Sequence, residues 1–237
     1  MRVTTKAIVI SSLKYQDKSL IVKCFTQSDG LKSYFVHNAF SSRSAARKTA
    51  YFQPLSILEI EAIHKNKGTL ETFKEIRMSS PYATVATDII KSTIAIFLSE
   101  VLHHTIREEE KNEALFDFLE TALLWFDTHD EVANFHLITL LQTTKFLGFY
   151  PAKPGDDSKY FEMVEGTFSD YHSLSCLNEA ETVLLKRLLV LKFDSDQKVF
   201  SGNERQQLLK ILLDYFAFHL DGFKRPKSLD VLKEVFS

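Results

Sequence analysis

Pro54-Leu55-Ser56-Ile57-Leu58-Glu59-Ile60-Glu61-Ala62-Ile63-His64 places Leu58, Ile60 and Ala62 on one side of an extended chain and Glu59 and Glu61 on the other. Successive side chains of a strand point to opposite faces, so this stretch predicts a half-buried β-strand. Asn66-Lys67-Gly68 follows as a hairpin signal and leads into a second run, Thr69–Arg77. Ser79-Ser80-Pro81 then breaks the pattern, and from Tyr82 the apolar spacing changes from about 2 to about 3.6 residues. The chain is therefore read as an α+β multidomain protein, with one domain over residues 1–79 and a helical one over 80–237.

Toward the N-terminus, three more runs carry strand character: Lys6–Leu13 with the apolar block Ala7-Ile8-Val9-Ile10, Ser19–Thr26, and Leu31–His37 after the turn Ser28-Asp29-Gly30. Between Ser41 and Phe52 the chain is rich in Ala and Ser and carries Arg43, Arg47 and Lys48. If this piece is helical, Arg43 and Arg47 share a face. Strand, strand, strand, short helix, strand, strand is the element order of a five-stranded OB-fold barrel, a fold that often binds single-stranded nucleic acid. Other small barrels, SH3-like ones among them, can share that order.

In the second half, Ile94, Phe97, Leu98, Val101 and Leu102 follow the spacing of one buried helix face. Further helices are expected over Asn112–Thr128 and Glu131–Gly148, with Gly148 and Pro151 as stops. Residues 150–176, which include Pro154-Gly155-Asp156-Asp157, lack periodicity and read as a loop-rich insertion. Helix returns with Asn178 as N-cap and Glu181 three positions on, and again from Asn203 through Leu220 to a stop at Gly222. That makes a bundle of about five helices.

Charge divides along the same line. Residues 1–79 hold 13 Lys/Arg against 6 Asp/Glu, and the remainder 16 against 25, within a total of −2. A basic strand-rich half beside an acidic helical half points to a polyanion-binding module on a separate scaffold. The candidate contacts are Lys6, Lys14, Lys18, Lys32, Arg43, Arg47 and Lys48, because cations at phosphates supply most non-specific nucleic-acid affinity. Rings are interleaved with them. Phe25 and Phe35 are assigned to the core, while Tyr15, Tyr34 and Phe40 could be stacking platforms or core.

Other chemistry finds little support. There is no phosphate loop, dinucleotide fingerprint or nucleophile elbow, and only 7 glycines to build one, so no enzymatic activity is expected. His103-His104 before Glu108-Glu109-Glu110 lacks a metal-binding order and reads as a solvated helix end; His136 reads as a core histidine. Asp156-Asp157 reads as turn chemistry. Cys24 and Cys176 give no disulfide framework and suit a reducing cytoplasm; no stretch has the length of a membrane span.

An ordered series of landmarks can be traced along the whole chain. It runs through Lys6-Ala7-Ile8-Val9-Ile10, Tyr15-Gln16-Asp17-Lys18-Ser19-Leu20-Ile21, Phe25-Thr26, Gly30-Leu31 and Gln53-Pro54-Leu55. It continues through Phe97-Leu98-Ser99-Glu100-Val101-Leu102, Leu115-Phe116-Asp117-Phe118-Leu119, Phe146-Leu147-Gly148-Phe149-Tyr150-Pro151 and His219-Leu220-Asp221-Gly222 with Lys227-Ser228. This series resembles the RecO family of bacterial DNA-repair and recombination mediators. The resemblance implies an OB-fold followed by a helical domain, binding to single- and double-stranded DNA, annealing, and work with RecR to help RecA displace single-strand-binding protein. It also implies a cytoplasmic, nucleoid-associated location.

This chain departs from the family at two places. Many members carry four zinc-ligating cysteines in the insertion, where this chain has Cys176 and His172, so no metal or other cofactor is expected. Tyr160, Phe161, Met163 and Phe168 are expected to supply an apolar core there instead. Val36-His37-Asn38-Ala39-Phe40 stands where the family shows a more basic, glycine-containing turn. For the carboxylate-ended tail of single-strand-binding protein, Lys145, Lys186, Arg187 and Arg225 are candidate cations. The residues alone also fit an RNA-binding or translation-associated OB protein, or an adaptor that binds no nucleic acid.

Overall fold

The computed structural model describes residues 1–40, 49–65, 67–106, 111–155, 158–195 and 197–236. They form two compact units, Met1–His129 with Pro226–Ser228, and Asp130–Arg225 with Leu229–Ser237.

The first unit is built on strands β1 (Arg2–Tyr15), β2 (Ser19–Thr26), β3 (Gly30–Val36), β4 (Ile57–Ile63) and β5 (Thr72–Met78). They pair antiparallel in the order β3-β2-β1-β4-β5. The two edges meet in a parallel bridge between Tyr34 and Glu71. There the Phe35 amide donates to the Glu71 carbonyl at 3.0 Å and the Glu71 amide to the Ser33 carbonyl at 2.8 Å. That junction gives the connectivity of the OB barrel expected from the element order.

β1 extends beyond Lys6–Leu13 because two strands share it. β4 pairs with it from Arg2 to Ile8 and β2 from Ala7 to Tyr15, with a bulge between Val9 and Ser11. Polar residues at its ends are thus held in the ladder by neighbours, which alternation cannot reveal.

Ala7, Val9, Leu20, Val22, Tyr34, Leu58 and Ile60 fill the barrel interior. The opposite face is buried as well. Leu31, Phe25, Ile8 and Ile57 stand side by side across β3, β2, β1 and β4, and all four are buried. Helices α1 (Ile89–Thr105) and α2 (Glu113–Thr128) pack on this side: the Ser99 hydroxyl donates to the Ile10 carbonyl at 2.6 Å, and the Phe25 and Phe116 rings lie 5.8 Å apart. Ile94, Phe97, Leu98, Val101 and Leu102 are buried, as their spacing predicts.

Asp127, at the end of α2, fastens the connection from barrel to helices. Its carboxylate accepts from the amides of Ala83, Thr84 and Val85 at 2.8, 2.8 and 3.1 Å. Buried Lys91 donates to the Thr84 hydroxyl at 2.6 Å and to the Asp127 carbonyl at 3.0 Å. Burial by itself raises the Asp127 pKa, but the three amides and the Thr84 hydroxyl outweigh it and hold the carboxyl below its ordinary range.

The second unit contains α3 (Phe135–Phe146), α4 (Glu179–Leu189), α5 (Gly202–His219) and α6 (Leu229–Val235). The third expected helix begins at Phe135 rather than Glu131, because Val132–Asn134 closes a turn in which the Phe135 amide donates to the Val132 carbonyl. Asn178 and Glu181 form the expected capping box, and Ser201 with Glu204 forms a second at the start of α5. His136 is a core histidine, buried and stacked on Phe236, and burial with nearby Arg205 lowers its pKa to about 3. No helix among the described residues is long and apolar enough to cross a membrane.

The described residues of the 150–176 insertion carry regular structure that the sequence pattern does not show. They hold a small sheet in the order β7-β6-β8: β6 (Tyr160–Glu162), β7 (Thr167–Ser169) and β8 (Cys176–Leu177). Phe161 and Met163 are buried with Leu177, Leu185, Ile211 and Tyr215, and Phe168 packs against them. Tyr160 departs from the expected apolar set: it is half-buried, donates to Glu179 at 3.1 Å and meets the His172 ring edge-on. Helices α4 and α5 supply the rest of this core. Gly166 turns β6 into β7 at φ +67, and a Cβ there would come 2.5 Å from the Tyr215 hydroxyl.

Asp127→Asn should lower the free energy of unfolding by about 2 kcal/mol in urea titrations, since hydrogen bonds to a charged group are lost. The folded pKa of Asp127 lies below the unfolded value of about 3.9, so its stabilisation is full above that pH and is lost as pH falls through the folded value. The variant should lack this acid-dependent component. Gly166→Ala combines a strained φ with that clash and should cost about 1–2 kcal/mol, accompanied by faster amide exchange in β6 and β7. An unchanged variant would mean that the hairpin does not depend on its seat against Tyr215.

Candidate nucleic-acid interface

At one end of the barrel, the β1–β2 hairpin lies beside the turn that leaves β3. Lys14, Tyr15, Gln16, Asp17 and Lys18 are exposed at the hairpin, and His37, Asn38 and Phe40 are exposed in the turn. The Phe40 amide donates to the Lys18 carbonyl at 3.4 Å, tying the two together. The Lys14 ammonium stands 5.8 Å from the centre of the Phe40 ring. Tyr15 meets Phe35 edge-on at 5.8 Å, and Phe35 meets His37 edge-on at 4.4 Å. Asn38 adopts φ +52, a left-handed conformation that Asn tolerates better than most side chains, so the turn is made without glycine.

The seven candidate cations do not share one environment. Lys14 and Lys18 are exposed on the hairpin. Lys6 is paired with Glu120 of α2 at 2.8 Å. Lys32 is only 6% exposed and lies on the strand parity of Tyr34, toward the barrel interior. Arg43, Arg47 and Lys48 lie outside the described residues, in the stretch between Phe40 and Thr49.

The rings divide as well. Tyr34 is core: it stacks on Phe73 at 4.0 Å and its hydroxyl lies 2.8 Å from His64 Nε2. His64 Nδ1 is 3.2 Å from the Asp29 carboxylate. Burial, reinforced by nearby acidic groups, pushes the Tyr34 phenol up. Phe25 is core as expected, whereas Phe35 is half-buried, because its register opposite Ile21 puts it on the outer face. Tyr15 and Phe40, 43% and 41% exposed, are left as rings that a base could reach. His37 was not among the candidates; its signal was its place one residue beyond the last β3 residue, between two aromatics.

His103 and His104 meet edge-on at 5.2 Å at the end of α1; burial, with Lys23 and His104 nearby, lowers the His103 pKa. Glu108, Glu109, Glu110, Asp156 and Asp157 lie outside the described residues. Cys176 Sγ lies 3.3 Å from the Ser173 hydroxyl, and among the described residues no group of three or more His, Cys, Asp or Glu is arranged to hold a metal. Burial pushes the Cys24 thiol well above its ordinary range.

An OB-type barrel with a cationic, aromatic hairpin end, continued by a helical unit, defines this chain as an OB-barrel protein with an appended helical domain. The model of the N-terminal domain of recombination protein O matches residues 1–82, and that of the C-terminal domain matches residues 86–230. The chain belongs to the RecO family of DNA repair and recombination proteins. It is 67% identical to the DNA repair protein RecO of Flavobacterium johnsoniae over 237 residues, all of both chains. It is 64% identical over 238 residues to that of Flavobacterium psychrophilum, again across both whole chains, and 38% identical over 242 residues to that of Bacteroides fragilis, across 98% of each.

The different settings of the lysines predict different effects on stability. Lys14→Ala and Lys18→Ala should leave the unfolding free energy within about 0.5 kcal/mol of the parent, as exposed substitutions usually do. Lys32→Ala removes a buried side chain and should cost more than either. Equal effects in denaturant titrations would contradict the interior placement of Lys32.

Proposed function

We propose that the protein is a non-enzymatic recombination mediator in DNA repair. It binds single- and double-stranded DNA, anneals complementary strands, and with RecR helps load RecA onto strands covered by single-strand-binding protein. The observation that carries this reading is the hairpin end of the barrel, where Lys14 and Lys18 are exposed beside the accessible rings of Tyr15 and Phe40. Such a surface neutralises phosphates through its cations and stacks bases on its rings, at about 1–3 kcal/mol per stacked base. Membership in the RecO family selects DNA repair over translation or adaptor roles. The work is done by binding and placement in the cytoplasm at the nucleoid, with no bond made or broken by the protein.

The helical unit offers a seat for the tail of single-strand-binding protein. Of the four candidate cations there, Lys145 is exposed in the last turn of α3, Lys186 donates to the Ser158 carbonyl at 2.5 Å and Arg187 is paired with Glu204 at 2.6 Å. Arg225, paired with Asp214, lines a groove of about 590 Å³ with Leu209, Leu213 and Leu229, and Lys210 and Lys233 also line it. Apolar floor and cationic rim suit an apolar segment that ends in a carboxylate.

Binding to labelled single-stranded DNA, followed against salt, tests the reading. Log K should fall against log salt with a slope of about −0.7 per phosphate neutralised, summed over several phosphates. Lys14→Ala with Lys18→Ala should make that slope shallower by about 0.7 per lysine, and Arg43→Ala/Arg47→Ala/Lys48→Ala should weaken binding further. No binding at low salt would sink the proposal. Equal competition by RNA of the same sequence would redirect it to RNA.

A further inference from the structure

In the second unit, the small sheet and the end of α5 leave large apolar side chains in water. Leu174 is 106% exposed and Tyr171 84%, and Phe218 of α5 is 55% exposed. Leu174 and Phe218 line a groove of about 420 Å³ with Met163, Leu177, Glu181 and Asp214, of which Asp214 is ion-paired with Arg225. Between residues 158 and 181 the sequence holds five carboxylates, Glu162, Glu165, Asp170, Glu179 and Glu181, against one lysine, Lys159. An apolar groove in such a setting rejects DNA and acidic peptides by like-charge repulsion, and accepts a surface that presents cations together with apolar side chains.

The same chain presents such a surface. The barrel hairpin exposes Lys14 and Lys18 beside Leu13, Tyr15 and Phe40, the apolar three being 66%, 43% and 41% exposed. Both surfaces join apolar side chains to charge, and the charges are of opposite sign. We propose that the acidic groove of one copy docks the barrel hairpin of a second copy. A contact of this head-to-tail kind buries different patches on the two partners and extends into rings or open chains unless geometry closes it. It also occupies the hairpin in the place a DNA strand would take, so strand binding and self-association exclude each other. That last consequence rests on the function proposed above; the docking itself does not.

Sedimentation velocity of the full-length protein, at low and high salt, tests the docking. At low salt the weight-average mass should rise with concentration above that of one chain, and at high salt it should return to one chain. Leu174→Lys with Phe218→Lys places cations at two exposed positions of the groove and should abolish association while leaving DNA binding unchanged. Lys14→Glu with Lys18→Glu should also abolish it, and mixing these two double variants should restore it. A protein that stays at one-chain mass at low salt, or whose association survives either reversal, overturns the docking. An oligonucleotide of about 20 nucleotides should dissolve the association. If the protein binds no DNA, the function proposed above fails while the charge-reversal pair still decides the docking; if DNA binds without dissolving the association, the shared use of the hairpin is overturned.

Discussion

Ala7, Ile8, Val9 and Ile10 are withdrawn from water completely, and β1 is the strand that both halves of the barrel share. Ala7 and Val9 belong to the interior, whereas Ile8 joins the outer row of Leu31, Phe25 and Ile57. A strand dry on both sides must be covered twice, once by the barrel curling around it and once by helices laid against it. The junction of β3 with β5 at Tyr34 and Glu71 provides the first cover, and α1 and α2 provide the second. Asp127 and Lys91 then fix the chain between the two layers with buried polar contacts that an alternative packing would leave unsatisfied.

The element order and the change of period near residue 79 were legible because they rest on local alternation and turn chemistry. Ser19–Thr26 was read with its observed limits for that reason. Which parity faces inward was not legible. With both faces dry, Phe25 and Tyr34 are equally buried from opposite sides, and a lysine at position 32 looks like a surface group until register places it on the parity of Tyr34. Lys6 was a candidate for the same reason: nothing local records that Glu120, more than a hundred residues on, would meet it. The short strands β6 to β8 escaped notice because two or three residues cannot show a period, and α6 because it has only two turns.

The division of net charge also looks different once partners are assigned. Lys6 has its ammonium in an ion pair, and Arg2 is paired with Glu61 along the sheet. Part of the front half's positive count therefore serves the fold. What a long-range field gathers, the hairpin end must use locally, with few cations and adjacent rings. On the acidic side, Arg187 with Glu204 and Arg225 with Asp214 neutralise charge near the helices. The carboxylates around the small sheet have one lysine among them in sequence.

The outer row across β3, β2, β1 and β4 also constrains how such a protein can be taken apart or recombined by evolution. A gene fragment ending at the last strand would encode a closed barrel with an oily outer wall, since Leu31, Phe25, Ile8 and Ile57 would lose the helices that cover them. Exposed apolar surface of that extent promotes aggregation. The heritable module is therefore longer than the recognisable one. It includes the first two helices, without which the outer wall of the barrel would stand in water.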